Sequence, residues 1–211
     1  MRVTIVNPVW DEALATAEAT LERYTTLSGW AEAVQSSSHA EVTVCQRFSS
    51  HARIERHGVH YCFHADRKPP SPRRGSRGSR SLLDEVLTSA PDIVHINGLL
   101  FPELIRSVRA SLPGHVALVV QDHGGFDPSR ASALTRVWLR RGLAAADAIL
   151  IASAGQAEAL RASGIAPPET LIADVMESST VLRGAPREHA RADLHMHGDP
   201  CGGDPEPLRY G

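Results

Sequence analysis

The stretch Pro91–Ala110, "PDIVHINGLLFPELIRSVRA", decides how the chain folds. Ile93, Val94, His95 and Ile96 form a short β-branched run with no alternation of polarity, as in a strand buried on both faces. Asn97 and Gly98 end the run. Phe101, Leu104, Ile105, Val108 and Leu112 then recur at helical spacing, with Pro102 and Glu103 placed as first-turn residues. A buried strand, a polar tip and an amphipathic helix make half of a βαβ unit. In an open α/β sheet such tips are where ligands bind.

The same unit recurs on both sides. Strand-like runs cover Val3–Val6, Val42–Cys45, Val59–Phe63, Val116–Val120 and Ala148–Ile151, with a weaker one at Thr170–Ala173. Between them lie helix patterns. A long one is expected over Ala17–Val34, where Leu21, Tyr24, Leu27, Trp30 and Val34 fall near one face. Shorter ones are marked by Leu82, Leu83, Val86 and Leu87, and by Leu134, Val137 and Trp138. Ser153 and Gln156 open a helix over Ala154–Ser163 as a capping box, and Gly164 stops it. Strands alternating with helices predict right-handed crossovers. The expected fold is α/β: a Rossmann-like, doubly wound, mostly parallel sheet with helices on both faces.

Composition narrows the function. The 211 residues are 42% hydrophobic and 22% charged, with a formal net charge of -2, so no global field favours nucleic acid or membrane. Cys45, Cys62 and Cys201 make no CxxC pair, and a reducing cytoplasm is expected. The opening "MRVTIVNPVW" is not patterned as a signal peptide, and no apolar run reaches the ~20 residues of a membrane span. Asp66–Ser81, "DRKPPSPRRGSRGSRS", reads as a mobile basic loop. It lacks the interleaved aromatics of a nucleic-acid surface, so a solvated loop is favoured, with peripheral attraction to anionic lipid headgroups as the alternative. Residues after Thr180 carry no periodic apolar run.

The strand tips carry the candidate chemistry. "NPVWDEALATAEA" lacks the G-x-G-x-x-G that lets a backbone approach a pyrophosphate, and lacks an acidic pair for Mg²⁺. Asn7 could bond a ligand there or serve its own turn. In "VVQDHGG", Val119–Gly125, the strand ends on Gln121, Asp122 and His123, and Gly124 and Gly125 allow a ligand close to the backbone. No G-x-S-x-G elbow accompanies it, which disfavours a serine hydrolase. His60, Cys62 and His64 share one strand face, but steps of roughly 6–7 Å are too long for one ion. No metal site is expected there, and a half-exposed strand is the plainer reading. His195, His197 and Cys201 read the same way. Glu177, in "DVMESST", lies where the chain leaves the last strand and could accept sugar hydroxyls.

Taken in order, "MRVTIVNPVW", "EVTVCQRF", "PDIVHINGLLFPELIRSV", "VALVVQDHGG", "RGLAAADAILIASAGQAEALRASGI" and "LIADVMESST" resemble the N-terminal half of a GT-B, family-4-type glycosyltransferase. The resemblance spans roughly Met1–Pro200. It implies two facing Rossmann-like domains, the first holding the acceptor and the second the nucleotide-sugar. It implies transfer with retention of anomeric configuration and without a metal or other cofactor. The donor would be a UDP-, GDP- or ADP-sugar, and the acceptor a sugar or lipid-linked sugar. His123 matches the histidine lining the catalytic cleft, Asn97 and Gly98 match the acceptor-side wall, and Glu177 matches an acidic position at the linker. The expected site is therefore His123 as the catalytic residue, with Asn7, Asn97, Gly98, Gln121, Asp122, Gly124 and Glu177 binding substrate. Residues 1–182 would form the domain, and 183–211 a linker and irregular tail. "HGDPC" resembles the entrance to the second domain, so the chain is expected to be truncated before the donor-binding half and inactive alone. The alternatives are a non-catalytic Rossmann-like binding module and a partner-dependent subunit.

Overall fold

The computed structural model describes residues 1–9, 11, 13–66, 80–123, 126–167 and 170–174. The central strand is β1 (Arg2–Asn7). It pairs in parallel with β2 (Glu41–Phe48) on one side and with β5 (Ile93–Asn97) on the other, so Val3 faces Val42 and Ile93 across the two ladders. β3 (Ala52–Arg56) and β4 (Val59–Ala65) lie beyond β2. β6 (Ala117–Asp122), β7 (Ala148–Ile151) and β8 (Leu171–Asp174) lie beyond β5. The order is β3-β4-β2-β1-β5-β6-β7-β8, parallel throughout except for β3 against β4. This is the expected doubly wound sheet. Connections leave β1 and β5 in opposite directions, which opens a crevice at their carboxyl ends.

The helices divide between the faces. α1 (Ala17–Arg23) and α2 (Thr25–Ser38) supply Leu21, Leu27 and Ala31 to a core with Val3, Ile5, Val42, Val44 and Tyr61. α3 (Arg80–Thr88), α4 (Pro102–Ser111), α5 (Ala133–Leu143) and α6 (Ala154–Ala162) supply Leu82, Leu104, Leu139 and Leu160 to a second core with Val6, Val94, Ile96 and Val120. Successive residues of each central strand thus enter opposite cores, and that is why its sequence does not alternate in polarity. α4 and α5 meet closely at one point. A Cβ on buried Gly142 would lie 2.2 Å from Pro102 Cβ and 2.5 Å from Pro102 Cα.

Three expectations are corrected. The single helix over Ala17–Val34 is two, because Tyr24 (φ −99°, ψ 62°) leaves helical geometry while its hydroxyl donates to Asp11 Oδ2 at 2.8 Å. The second helix then runs through buried Gly29 to Ser38. β3 was not expected. "ARIER" looks charged, yet it forms the edge strand of a hairpin whose two-residue turn, His57–Gly58, has positive φ at both positions (52° and 77°). Such mirror-image turns match strand twist and favour glycine at the second place. The strand carrying His60, Cys62 and His64 is not half exposed: only His60 is, because α3 covers Cys62 and His64. A cavity of about 500 Å³ beside them is lined by His51, Arg53, Cys62, His64 and Glu85. Among the described residues no three His, Cys, Asp or Glu side chains are grouped to hold a metal ion. α3 begins at Arg80, inside the expected loop over 66–81, and residues 67–79 of that loop lie outside the described residues. The expected linker and tail, 183–211, do so too.

Candidate functional site

Strand alternation places Asn7 on the face of β1 that carries Val3 and Ile5, and Gln46 on the face of β2 that carries Val42 and Val44. His95 and Asn97 on β5, and Gln121 on β6, share that face. Their paired positions make one polar row across the carboxyl ends of four adjacent strands, with His123 just past β6.

Among the described residues the bonds of the row fall in two groups, one on β1 and β2 and one on β5 and β6. Asn7 Nδ2 donates to Gln46 Oε1. Gln46 Nε2 donates to the carbonyls of Val9 and Arg47, both at 2.8 Å. Asn7 Oδ1 accepts from the Val9 amide at 3.4 Å. Across the crevice, His123 Nε2 bonds Asn97 Oδ1. The Gly98 amide donates to the Gln121 carbonyl at 3.0 Å, and the Gln121 side chain bonds His95. Gly98 has φ 125°, a backbone state that favours glycine, and a Cβ there would lie 3.1 Å from the Phe101 ring.

Burial separates the expected site residues. His123 is exposed, and Asn97 and Gly98 are half-buried, so these three present groups to solvent at the crevice. Asn7 and Gln121 are buried within the row. Asn7 is held by its own turn and by Gln46, so it shapes the loop after β1. Asp122 is buried on the opposite face of β6, away from Gln121. Gly124 and Glu177 lie outside the described residues.

Gln46 and His95 were not among the expected site residues. Each had a signal: a polar side chain within or at the end of an otherwise apolar strand. His95 is buried, its ring meets Trp30 edge-on at a centroid distance of 6.0 Å, and Nε2 has no hydrogen-bond partner among the described residues. Burial pulls its pKa down to about 4, helped by the nearby His123 and opposed by the bond its ring donates to the Gln121 side chain. His95 is therefore neutral at pH 7. In the unfolded chain an ordinary histidine binds its proton near pH 6.5, so between pH 6.5 and 4 the unfolded state holds more protons and stability falls as pH falls. Urea unfolding should show a loss of about 2 kcal/mol between pH 7.5 and 5 from this residue. His95→Phe should remove most of that slope. An unchanged slope in the variant would refute the assignment.

Comparison with known proteins follows the same lines. No curated protein matches the sequence. The fold is similar to that of sucrose-phosphate synthase from Thermosynechococcus elongatus, with a TM-score of 0.58 and 12% identity. The match covers 92% of this chain and 52% of that one, so this chain spans about half the length of that enzyme. The sequence model of Glycosyltransferase Family 4 matches residues 26–172, which is more than half of the chain. The chain belongs to glycosyltransferase family 4.

Proposed function

We propose that this chain forms the acceptor-side wall of a glycosyltransferase cleft. The observation that carries the reading is the polar row at the switch between β1 and β5, which offers solvent the His123–Asn97 pair and the Gly98 backbone. Glycosyl transfer breaks the bond between a donor sugar's anomeric carbon and its diphosphate, and forms one to an acceptor hydroxyl. The departing diphosphate keeps the bonding electrons, and the hydroxyl gives up its proton. Asn97 orients His123, and His123 contacts the reacting sugar, with no metal or other cofactor and with retention at the anomeric carbon. The donor is a UDP-, GDP- or ADP-sugar.

Both substrates must be held in line and the leaving diphosphate must be stabilised. The described residues supply one wall, whose exposed polar groups are His123, Asn97 and Gly98. The 211-residue chain alone is thus expected to release no nucleoside diphosphate from UDP-, GDP- or ADP-sugars offered with mono- and disaccharide acceptors. Robust release by the chain alone would refute the division of labour between two walls.

A further inference from the structure

The sheet ends on one side at β3, the outer strand of the β3–β4 hairpin, and among the described residues no strand pairs with its outer edge. A two-residue hairpin turn closes on a hydrogen-bonded pair, here Arg56 with Val59. Alternation then makes Ile54 with Tyr61, and Ala52 with Phe63, the other hydrogen-bonded pairs. Arg53 and Glu55 lie between them, so their backbone N–H and C=O groups point away from β4. Such an edge is a template for another strand, and proteins blunt it with proline, bulges or charge. β3 has no proline, and its register against β4 is unbroken over its whole length. α2 and α3 pack on β2 and β4, and both Arg53 and Glu55 remain exposed.

The charge on β3 is of both signs, and its order decides what fits. Two copies of β3 set antiparallel about a two-fold axis at Ile54 place Arg53 of each copy opposite Glu55 of the other. These are the residues with outward backbone groups, so each such pair exchanges both backbone hydrogen bonds. Opposite charges then stand directly across from each other on one face. On the other face the half-buried Ile54 meets its mate, where antiparallel backbones come closest. Shifting the register by one pair either way sets Arg53 against Arg53, or Glu55 against Glu55. Among the described residues no hydrogen bond or ion pair holds the Glu55 carboxylate. Arg53 bonds Glu85 Oε2 at 2.7 Å and Cys62 Sγ at 3.5 Å, and a guanidinium has further donors.

We propose that β3 is a self-pairing edge, at which two copies of this chain join into one continuous sheet through reciprocal Arg53–Glu55 pairs. The contact is short, so the dimer forms and dissociates with concentration. β4 and β2 separate β3 from β1, and the pairing uses no residue of the crevice, so it stands apart from the transfer reading. Sedimentation equilibrium of the 211-residue chain, diluted from hundreds of micromolar to micromolar, tests it. The apparent mass should fall from that of two chains to that of one. Glu55→Arg and Arg53→Glu should each weaken self-association about tenfold or more, since each sets like charges across both pairs. Mixing the two variants in equal amounts should restore the dimer, because the arginines of one then face the glutamates of the other. Both positions are exposed, and thermal melts check that the variants fold. Hydrogen exchange of the wild-type chain adds a readout that needs no variant: the Arg53 and Glu55 amides should exchange more slowly as concentration rises. A single-chain mass at every concentration would overturn the proposal. A dimer that both variants leave intact, or one in which those amides exchange as fast as in the monomer, would overturn it too and place the contact on another face.

Discussion

His123→Ala, placed in this chain fused to the donor-binding half of a family-4 enzyme, should lower kcat for sugar transfer by about 100-fold. The folded state should barely notice, because His123 is exposed and makes its bond to Asn97 at the surface of the crevice. A stability change within about 0.5 kcal/mol is expected for such a position. Asn97→Ala should reproduce part of the loss. It removes the partner that fixes the orientation of the ring, while leaving the imidazole in place. The double variant should then fall little further than His123→Ala, since the two side chains act as a unit. Steady-state release of nucleoside diphosphate, with thermal melting beside it, reads both effects. Full activity in His123→Ala would remove His123 from the mechanism.

Gly142→Ala should destabilise the protein even though alanine is the better helix former. On an open helix the change would stabilise by about 1 kcal/mol, because alanine is the better helix former. Here the new methyl meets Pro102 at its Cα, within 2.5 Å, and backbone cannot rotate away as the end of a side chain can. α4 and α5 must separate, and overpacking of this kind costs about 3 kcal/mol. The damage should spread to the crevice. Pro102 opens α4 directly after the Gly98–Phe101 turn, and Trp138 of α5 donates to Glu103 Oε1 at 3.2 Å. A net loss of about 2 kcal/mol in urea unfolding is expected once the helix gain is subtracted. Wild-type stability in Gly142→Ala would mean that the two helices are held less closely than the structure has them.

The sheet was legible because its central strands are uniformly apolar. Val3–Val6 and Ile93–Ile96 each send neighbouring residues into two cores, as parallel strands buried on both faces do. The helix over Ala154–Ser163 was legible from its cap, and Ser153 and Gln156 do form the reciprocal box, the Gln156 side chain accepting from the Ser153 amide at 3.1 Å. The β3–β4 hairpin was harder. An edge strand is buried on part of its surface only, so in "ARIER" just Ala52 and Ile54 alternate with charged residues, a pattern too short to stand out, and the His57–Gly58 turn was the other signal. The break at Tyr24 was invisible to periodicity, because the bond from Tyr24 to Asp11 joins a helix to a loop.

The site was legible as strand tips and not as bonds. Sequence gives the parity of Asn97 and Gln121 along their strands, but register decides which tips lie side by side. The pairing of Asn97 with Gln121 across β5 and β6 brings His123 to Asn97. That of Asn7 with Gln46 across β1 and β2 ties Asn7 into its turn. Asp122, next in sequence to Gln121, falls on the other face by strand alternation, which the sequence does give.

The account stands most directly on sugar transfer measured in two forms of the protein side by side. The 211-residue chain alone, and the same chain fused to the donor-binding half of a family-4 enzyme, would each receive that half's nucleotide-sugar and a panel of carbohydrate and lipid-linked acceptors. Release of nucleoside diphosphate, coupled to a glycosylated acceptor, is expected from the fusion and not from the chain alone. Transfer by the chain alone, or a folded fusion that binds its nucleotide-sugar and transfers to no acceptor, would contradict it.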